Sequence, residues 1–256
     1  DIKNLVAKLK ENGLSPSRLK TINAVISGIL NSAIEDELIE SNPCQRMGRY
    51  TGSGAVKEID PLTPEEVSTL LEKASERLSD TLYTLFLVAV RTGMRIGEIL
   101  ALEWSDIDFE GRIAEITKSW DYTRRTLGPP KNGKSRKVDL TPLVVDTLRK
   151  LRAASKVVSL DGPIFTDATG KRPNYWTLYN AISEIAPRAV RTHDLRHTYA
   201  TLRVAKGDNI VDVSNQLGHH DPGFTLRAYT HWLPGEHKSQ VDELDKVAPI
   251  RTSTAP

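Results

Sequence analysis

The histidines of this chain are confined to one stretch, where arginines and a tyrosine accompany them. All six lie between His193 and His237. Two of them flank an arginine in the segment His193–His197, a Leu-Gly-His turn ends at His219, and Tyr229 follows ten residues later. Arginine pairs with charged oxygens, histidine transfers protons near neutral pH, and a tyrosine hydroxyl can act as a nucleophile. Together these residue types favour binding of, and attack on, a phosphodiester.

Two arginines are candidates for holding the negative charge that builds on the non-bridging oxygens during such an attack. Arg196 lies at the start of a predicted helix, and Arg95 follows Gly93, where one predicted helix ends and another begins. The planar guanidinium group suits this role because it forms two parallel, charge-assisted hydrogen bonds. The alternative for Arg95 is an ion pair with Glu98 on the surface of its own helix.

The remaining candidates transfer protons or attack the phosphorus. Lys131 occupies a predicted hairpin turn and is a candidate general acid for the leaving 5′ oxygen, although turn lysines are usually solvated. His193 and His219 are candidates for hydrogen bonding to the phosphate or for accepting the nucleophile's proton. Tyr229 is the candidate nucleophile, but a phenol of pKa about 10 needs a cation or a base to become reactive. The alternative for Tyr229 is a tyrosine that packs on a helix face.

A metal site is a weaker interpretation of the same histidines. His193 and His197 are four residues apart, as in zinc proteases, but the glutamate of that pattern is replaced by Asp194. We therefore predict neither a metal nor another cofactor, and we expect His197 to be a packed helix residue.

Composition limits the class of protein. The net charge is only +2, so any basic surface for nucleic acid must come from local clustering. The single cysteine, Cys44, excludes an internal disulfide and suits a reducing, cytoplasmic compartment. No apolar run approaches the length of a membrane span, and we expect neither a membrane span nor a signal peptide in this sequence. The chain starts at Asp1 on an amphipathic helix pattern, and we expect a fragment that was cut within a domain.

The pattern of apolar residues predicts two structural regions. Residues 1–50 read as a partial helical domain, in which Gly13 ends the first helix and Ser15 caps the second. The predicted buried face of this second helix consists of Leu19, Ile22, Val25, Ile26, Ile29 and Leu30. Residues 51–60 are predicted to be a linker, residues 61–247 a second domain, and residues 248–256 a flexible tail.

The second domain is predicted to be mainly α with a small antiparallel β-sheet, an α+β fold. Its first helix has a capping box at Thr63–Glu66, and a helix over residues 82–90 is apolar nearly all round and therefore belongs in the core. Strand patterns cover residues 107–109, 113–116 and 136–140, which makes a sheet of about three strands. Helices are expected to start at Thr141, Asp194, Asn209 and Asp221.

Five motifs in this order resemble the tyrosine recombinases, or phage integrase family, over about residues 61–245. They are Thr92–Leu102 (TGMRIGEILAL), Lys131 in a strand turn, His193–Thr198 (HDLRHT), Leu217–His219 (LGH) and Tyr229–His231 (YTH). The N-terminal helices resemble part of that family's DNA core-binding domain.

The resemblance implies a role for each motif residue. Arg95 and Arg196 would clamp the scissile phosphate, Lys131 would protonate the leaving oxygen, and Glu98 would support Arg95. His193 and His219 would hydrogen-bond the phosphate or assist proton transfer. Tyr229 would attack to give a 3′-phosphotyrosyl link, and a 5′-hydroxyl would later reverse the reaction. Lys134 and Lys137 lie in the same hairpin as Lys131 and are alternatives to it.

The resemblance also implies partners. The partner would be double-stranded DNA with specific recombination sites. The protein would be a monomer without DNA and a homo-tetramer on paired sites, in the bacterial cytoplasm or nucleoid. Accessory DNA-bending or directionality factors are possible further partners. Residues 232–234 and 241–247 resemble a C-terminal segment that docks on a neighbouring protomer. The candidate phosphate contacts from the first domain and the linker are Arg18, Lys20, Arg46, Arg49 and Lys57.

Several functions remain compatible with these residues. We favour the integrase of a phage or other integrative element. The alternatives are a chromosome-dimer resolvase, a type IB topoisomerase-like enzyme that acts on one duplex without synapsis, and a DNA-binding module without catalysis.

Overall fold

The structure is a computed structural model of the chain. It describes residues 2–45, 47–51, 59–155, 159, 161–167, 169–219, 221–229 and 232. The chain divides into two compact units, residues 1–58 and residues 59–256. Each unit is considered on its own below.

The described part of the first unit contains three helices: α1 (Ile2–Glu11), α2 (Pro16–Glu35) and the short α3 (Gly48–Thr51). Gly13 ends the first helix with a positive φ, and the Ser15 side chain caps the second, as predicted. The segment after α2 is fixed by Asn42, whose amide group donates to the carbonyl of Ser27 at 3.0 Å while its oxygen accepts from the backbone of Cys44. This buried amide ties the end of the unit to α2.

The predicted apolar face of α2 is only partly correct. Leu19 is buried, but the side chains of Val25 and Ile29 are 59% and 65% exposed. Helical periodicity identified these residues as one face, but the described part of this small unit does not cover that face.

The described part of the second unit is mainly helical. Its helices are α4 (Pro64–Arg77), α5 (Asp80–Thr92), α6 (Ile96–Ala101), α7 (Pro142–Ala154), α8 (Tyr175–Ile185), α9 (Thr192–Ala205), α10 (Ile210–Leu217) and α11 (Pro222–Tyr229), with a 3₁₀ turn at Trp104–Asp106. The capping box of α4 is present, and α5 is buried along most of its length. Helix α9 begins at Thr192, two residues before the predicted start, and Asp194 completes a capping box with Arg191.

A small antiparallel sheet lies among these helices. Its strands are β1 (Ile107–Asp108), β2 (Ile113–Ile116) and β5 (Arg136–Asp139), in the order β1-β2-β5. Ala114 on β2 pairs with Val138 on β5, and both side chains face the core. A separate hairpin of β3 (Ser119–Asp121) and β4 (Thr126–Gly128) stands between β2 and β5 along the chain and was not predicted.

The predicted fold class, mainly α with a small antiparallel sheet, is confirmed. Residues from α4 to α9 and from the sheet form one large core, and a smaller cluster joins α9, α10 and α11. Within the described parts of the chain, no helix combines the length and the apolar character needed to cross a membrane.

The end of α5 gives a test of this packing. Gly93 and Gly207 both end helices with positive φ, at 63° and 84°. An alanine in this conformation costs about 1–2 kcal/mol. At Gly93 the added Cβ would also overlap the ring of Tyr199 and come within 2.8 Å of Leu217, whereas at Gly207 it would meet nothing within 4 Å. We therefore expect Gly93→Ala to cost about 2 kcal/mol more than Gly207→Ala in urea unfolding. Equal losses would contradict the close contact between α5, α9 and α10.

Candidate active site

The centre of the site is the C-terminal end of α10. Gly218 adopts a left-handed conformation with φ of 67°, and the backbone N–H groups of Gly218 and His219 both donate to the carbonyl of Ser214. The last carbonyls of a helix have no partner within the helix, and they carry the negative end of its dipole. The carbonyl groups of Gln216, Leu217 and Gly218 are therefore available to cationic side chains.

Three arginines from three different elements bind these carbonyls. Arg136 on β5 donates to Gln216 O at 2.9 Å, and Arg196 on α9 donates to Leu217 O at 2.8 Å. Arg95, at the start of α6, reaches Gly218 O at 3.5 Å. Arg196 also donates to Gly93 O at 2.8 Å, which links it to the end of α5.

Glu98 joins two of these arginines. Its side chain is buried, and both carboxylate oxygens accept from Arg136, at 2.9 and 2.7 Å. The same oxygens accept from the side chain of Arg95 at 3.0 Å and from its backbone N–H at 2.8 Å. Burial opposes ionisation of Glu98, but the hydrogen bonds and charge of Arg136 outweigh it and lower the pKa of this carboxyl. The ion pair between Arg95 and Glu98 thus exists, with a buried carboxylate and an Arg95 side chain that is 24% exposed.

We call Arg95, Glu98, Arg136 and Arg196 the arginine cluster. Three guanidinium groups and one carboxylate give it a net charge of +2 in a largely buried place. Arg196 is 3% exposed, and burial, followed by the charge of Arg95, lowers its pKa to about 9. The cluster therefore has an excess of positive charge that an anion such as a phosphate can balance.

His219 lies next to the cluster. Its Nδ1 is 2.6 Å from the hydroxyl of the buried Thr225, and its ring makes an edge contact with Phe224. Burial, then the charges of Arg196 and Arg95, lower the pKa of His219 to about 3. The imidazole is therefore neutral near pH 7 when no anion is bound. A bound phosphate would reverse the effect of the neighbouring arginines.

Lys131 is exposed in the turn between β4 and β5. The neighbouring residue, Asn132, donates its side-chain amide to Gly218 O at 3.3 Å, so the turn is attached to the carbonyl that Arg95 also contacts. This contact brings the segment with Lys131 to the site. Lys134 and Lys137 are also exposed.

The hydroxyl of Tyr229 is enclosed at the end of α11. The residue is 1% exposed, and its Oη is 2.7 Å from Nδ1 of His197. Burial raises the pKa of Tyr229 to about 12, although the charge of Arg196 acts in the opposite direction. His193, at the exposed start of α9, makes an edge contact with the ring of His197. The structure thus brings the candidate nucleophile and two histidines together.

Sequence reasoning missed two residues of this site. We expected His197 to be a packed helix residue, and Arg136 was interpreted only as part of a strand. The position of His197 directly after Arg196, four residues from His193, was a weak signal of its place in the site. For Arg136 the pattern contained no signal, because its partners Glu98 and Gln216 are distant in sequence.

The structure gives less information about the predicted DNA-binding residues and the C-terminal segment. Arg18 and Lys20 are exposed on α2, whereas Arg46, Lys57 and the side chain of Arg49 lie outside the described residues. The C-terminal segment expected to dock on a neighbour also lies outside them, apart from Trp232. Among the described side chains, no group of three or more histidine, cysteine, aspartate or glutamate residues is arranged to hold a metal ion.

Comparison with known proteins assigns the family. Residues 61–236 match the model described as the phage integrase family. The ICEBs1 integrase of Bacillus subtilis is 27% identical, and the match covers 93% of this chain and 67% of that protein. The XerC-like tyrosine recombinase of Caldanaerobacter subterraneus is 26% identical, with coverage of 93% and 68%. The chain thus spans about two thirds of the length of these relatives.

Solved structures agree on the fold. The Tn1549 transposon integrase in complex with a circular intermediate DNA superimposes with a TM-score of 0.76 at 20% identity, covering 96% of this chain and 84% of that one. The XerH site-specific recombinase bound to its palindromic difH substrate gives a TM-score of 0.69 at 22% identity, with coverage of 96% and 72%. The chain belongs to the phage integrase family, and its class is that of the tyrosine site-specific recombinases.

The bond between Arg136 and Glu98 predicts a large effect on stability. Arg136→Ala leaves the buried carboxylate without its two-point partner, and we expect it to lower the free energy of unfolding by about 3–5 kcal/mol. Adding Glu98→Gln should recover part of this loss, since the buried charge is then removed. The matched control is Arg227→Ala, which breaks an exposed ion pair with Asp221 and should change little. If Arg136→Ala loses as little unfolding free energy as the control in chemical unfolding, the prediction is wrong and Arg95 alone is a sufficient partner for the Glu98 carboxylate.

Proposed function

We propose that this chain is the catalytic part of an integrase from a phage or another integrative element, which cleaves and rejoins double-stranded DNA through a 3′-phosphotyrosyl intermediate. The observation that carries the proposal is the arginine cluster, with its excess of positive charge, beside the neutral His219 and the tyrosine of α11. A phosphodiester is an anion with the geometry that such guanidinium groups bind.

In the proposed reaction, Arg95 and Arg196 bind the non-bridging oxygens of the scissile phosphate. They stabilise the added negative charge of the transition state because they are already held in place by Glu98 and by backbone carbonyls. His219 and His193 donate hydrogen bonds to the phosphate or assist proton transfer. Tyr229 attacks the phosphorus, and Lys131 gives a proton to the departing 5′ oxygen.

Rejoining is the reverse of cleavage. A 5′-hydroxyl from a partner strand attacks the phosphotyrosyl bond, and Lys131 takes back its proton. The energy of the phosphodiester is kept in the protein–DNA link, so this scheme needs no nucleotide or other cofactor.

The burial of Tyr229 has a consequence for this scheme. Tyr229 is 1% exposed and Arg196 is 3% exposed, so neither side chain meets a phosphate until the residues that cover them move. Burial also keeps the phenol protonated, because it raises the pKa of Tyr229 to about 12. We propose that DNA binding and assembly uncover the hydroxyl of Tyr229 and leave its contact with His197 in place. Without DNA the hydroxyl stays covered, and the protein is inactive.

The first unit is proposed to act in DNA binding. Arg18 and Lys20 are exposed on α2 and are candidates for phosphate contacts, together with Arg46, Arg49 and Lys57. The proposed domain division is a partial core-binding domain at residues 1–50, a linker at 51–60, a catalytic domain at 61–247 and a tail at 248–256. On paired recombination sites we propose a homo-tetramer that forms from monomers in the bacterial cytoplasm or nucleoid. Accessory DNA-bending or directionality factors are the further partners that we propose.

A resolvase is the second candidate function. The similarity to the XerC-like tyrosine recombinase supports it. The integrase is favoured because other relatives are integrases of mobile elements, including the ICEBs1 integrase and the putative prophage phiRv2 integrase of Mycobacterium tuberculosis. A recombination assay distinguishes the two functions. An integrase recombines an element's attachment sites, whereas a resolvase recombines two identical sites.

Covalent trapping tests the proposed nucleophile. Nicked duplexes drawn from a random pool release a short fragment after cleavage, so the protein–DNA link persists as a band in denaturing gels. We expect a band for the wild-type protein and complete loss of the band for Tyr229→Phe, with DNA affinity changed by no more than a few fold, because only the attacking hydroxyl is removed.

Tyr83→Phe serves as the matched control. Tyr83 is a partly buried tyrosine on α5 of the same unit, and its variant should still form the band. A covalent band that persists in Tyr229→Phe would refute the assignment of the nucleophile.

A further inference from the structure

We propose that His197 is a catalytic residue that accepts the proton of Tyr229 when this tyrosine attacks the phosphate. The inference rests on the proposed function, and it assigns a role that the five motifs of the sequence do not give to His197.

The first support is the contact itself. Nδ1 of His197 lies 2.7 Å from Oη of Tyr229, which is the length of a good hydrogen bond, and the two rings are tilted by 48°. The bond connects α9, which also carries Arg196, to the end of α11. A base that is fixed on the same helix as a phosphate-binding arginine is in place for proton transfer at the moment of attack.

The second support is the exclusion of water. Tyr229 is 1% exposed, so its proton has no direct path to bulk solvent in this arrangement. Burial raises the pKa of this phenol to about 12, and the hydroxyl is therefore protonated near neutral pH. Attack by such a group needs an acceptor within hydrogen-bonding distance.

The third support is the protonation state of the acceptor. Burial lowers the pKa of His197, the carboxylate of Asp194 opposes this, and the charges of Arg196 and Arg191 lower it further. The other titratable groups facing the ring are His193, at its edge, and Tyr229. His197 is therefore neutral near pH 7, and its Nδ1 has a free lone pair when the proton is on Nε2. Once the proton arrives, Asp194 stabilises the cation.

The other two histidines are less suited to this step. Nδ1 of His219 is engaged by the hydroxyl of Thr225 at 2.6 Å. His193 is exposed at the start of α9 and touches His197 rather than the tyrosine hydroxyl. His219 and His193 remain available to bind the phosphate. In this proposal they bind the phosphate, and His197 activates the nucleophile.

The bond from Tyr229 Oη to phosphorus forms while the bond from phosphorus to the 5′ oxygen breaks. The phenolic proton moves to Nδ1 of His197, and Lys131 supplies the proton that the leaving 5′ oxygen takes. During rejoining the tyrosine leaves as a phenol, because His197 returns the proton.

The test replaces the base without removing the hydrogen-bonding group. An asparagine places its amide near the position of Nδ1 but has no useful basicity, so His197→Asn should form the covalent complex about 10²–10⁴-fold more slowly at pH 7. Replacing Tyr229 by a fluorinated tyrosine, whose phenol ionises near neutral pH, should restore most of the rate in His197→Asn. The same substitution in the otherwise wild-type protein should have a small effect and is the matched control.

The outcomes separate this proposal from the proposed function. No covalent complex with the wild-type protein would contradict the proposed function itself. A wild-type complex with an equally fast His197→Asn variant, or a slow variant that fluorotyrosine does not rescue, would show that His197 only positions the tyrosine and would overturn the proposal.

A second measurement does not depend on the variant being folded. Nitrogen NMR of the imidazole groups in the DNA-free wild-type protein should find His197 neutral at pH 7 with the proton on Nε2. A proton on Nδ1 would make this atom a donor to Tyr229 rather than an acceptor, and it would overturn the proposal.

Discussion

Three guanidinium groups share the last carbonyls of one short helix, and the rest of the site depends on this contact. Arg136, Arg196 and Arg95 bind the carbonyl groups of Gln216, Leu217 and Gly218 in turn. They come from a strand, from a long helix and from the start of another helix, so one feature of α10 fixes the relative position of three separate elements. The negative end of the helix dipole makes this arrangement of like charges tolerable.

The local backbone makes the contact possible. Because Gly218 is left-handed, the chain turns away after Leu217, and the carbonyls of this turn point toward the arginines instead of into a further helical turn. A side chain at Gly218 would come within 2.9 Å of the Arg136 side chain. Glycine is therefore required both for the conformation and for the space. The same turn presents His219 beside the cluster.

Glu98 adjusts the charge of the arginine cluster without neutralising it. With three guanidinium groups and one carboxylate, the cluster keeps an excess of two positive charges. Full neutralisation would remove the attraction of the cluster for an anion. Without the carboxylate, Arg95 and Arg136 would keep only their backbone carbonyl partners. Partial neutralisation suits a site that binds a phosphate and then stabilises additional negative charge on it.

The sequence was sufficient for the features that depend on local rules. The capping box at Thr63, the glycine that ends α5 and the three-strand sheet follow from spacing and residue type, and all are present. The motif residues were found because their types suit one chemistry. Whether each performs its expected role stays a prediction.

The features that depend on distant contacts were not accessible from the sequence. Arg136 reads as one charged residue on a strand, and only the fold places it against Glu98 and Gln216. His197 reads as a helix residue until α11 brings Tyr229 to it. The exposed apolar residues of α2, Val25 and Ile29, show the opposite error, since periodicity predicts a face but not what covers it.

We propose that the excess positive charge of the arginine cluster stabilises the negative charge of the scissile phosphate. The most direct measurement compares Arg95→Ala with the wild-type protein on two trapping duplexes, one with a normal phosphate and one with an uncharged methylphosphonate at the cleavage position. On the phosphate, the variant should cleave about 10²–10³-fold more slowly than the wild-type protein. On the methylphosphonate, most of this difference should vanish, because there is less charge to stabilise. An equal loss on both duplexes would contradict the account.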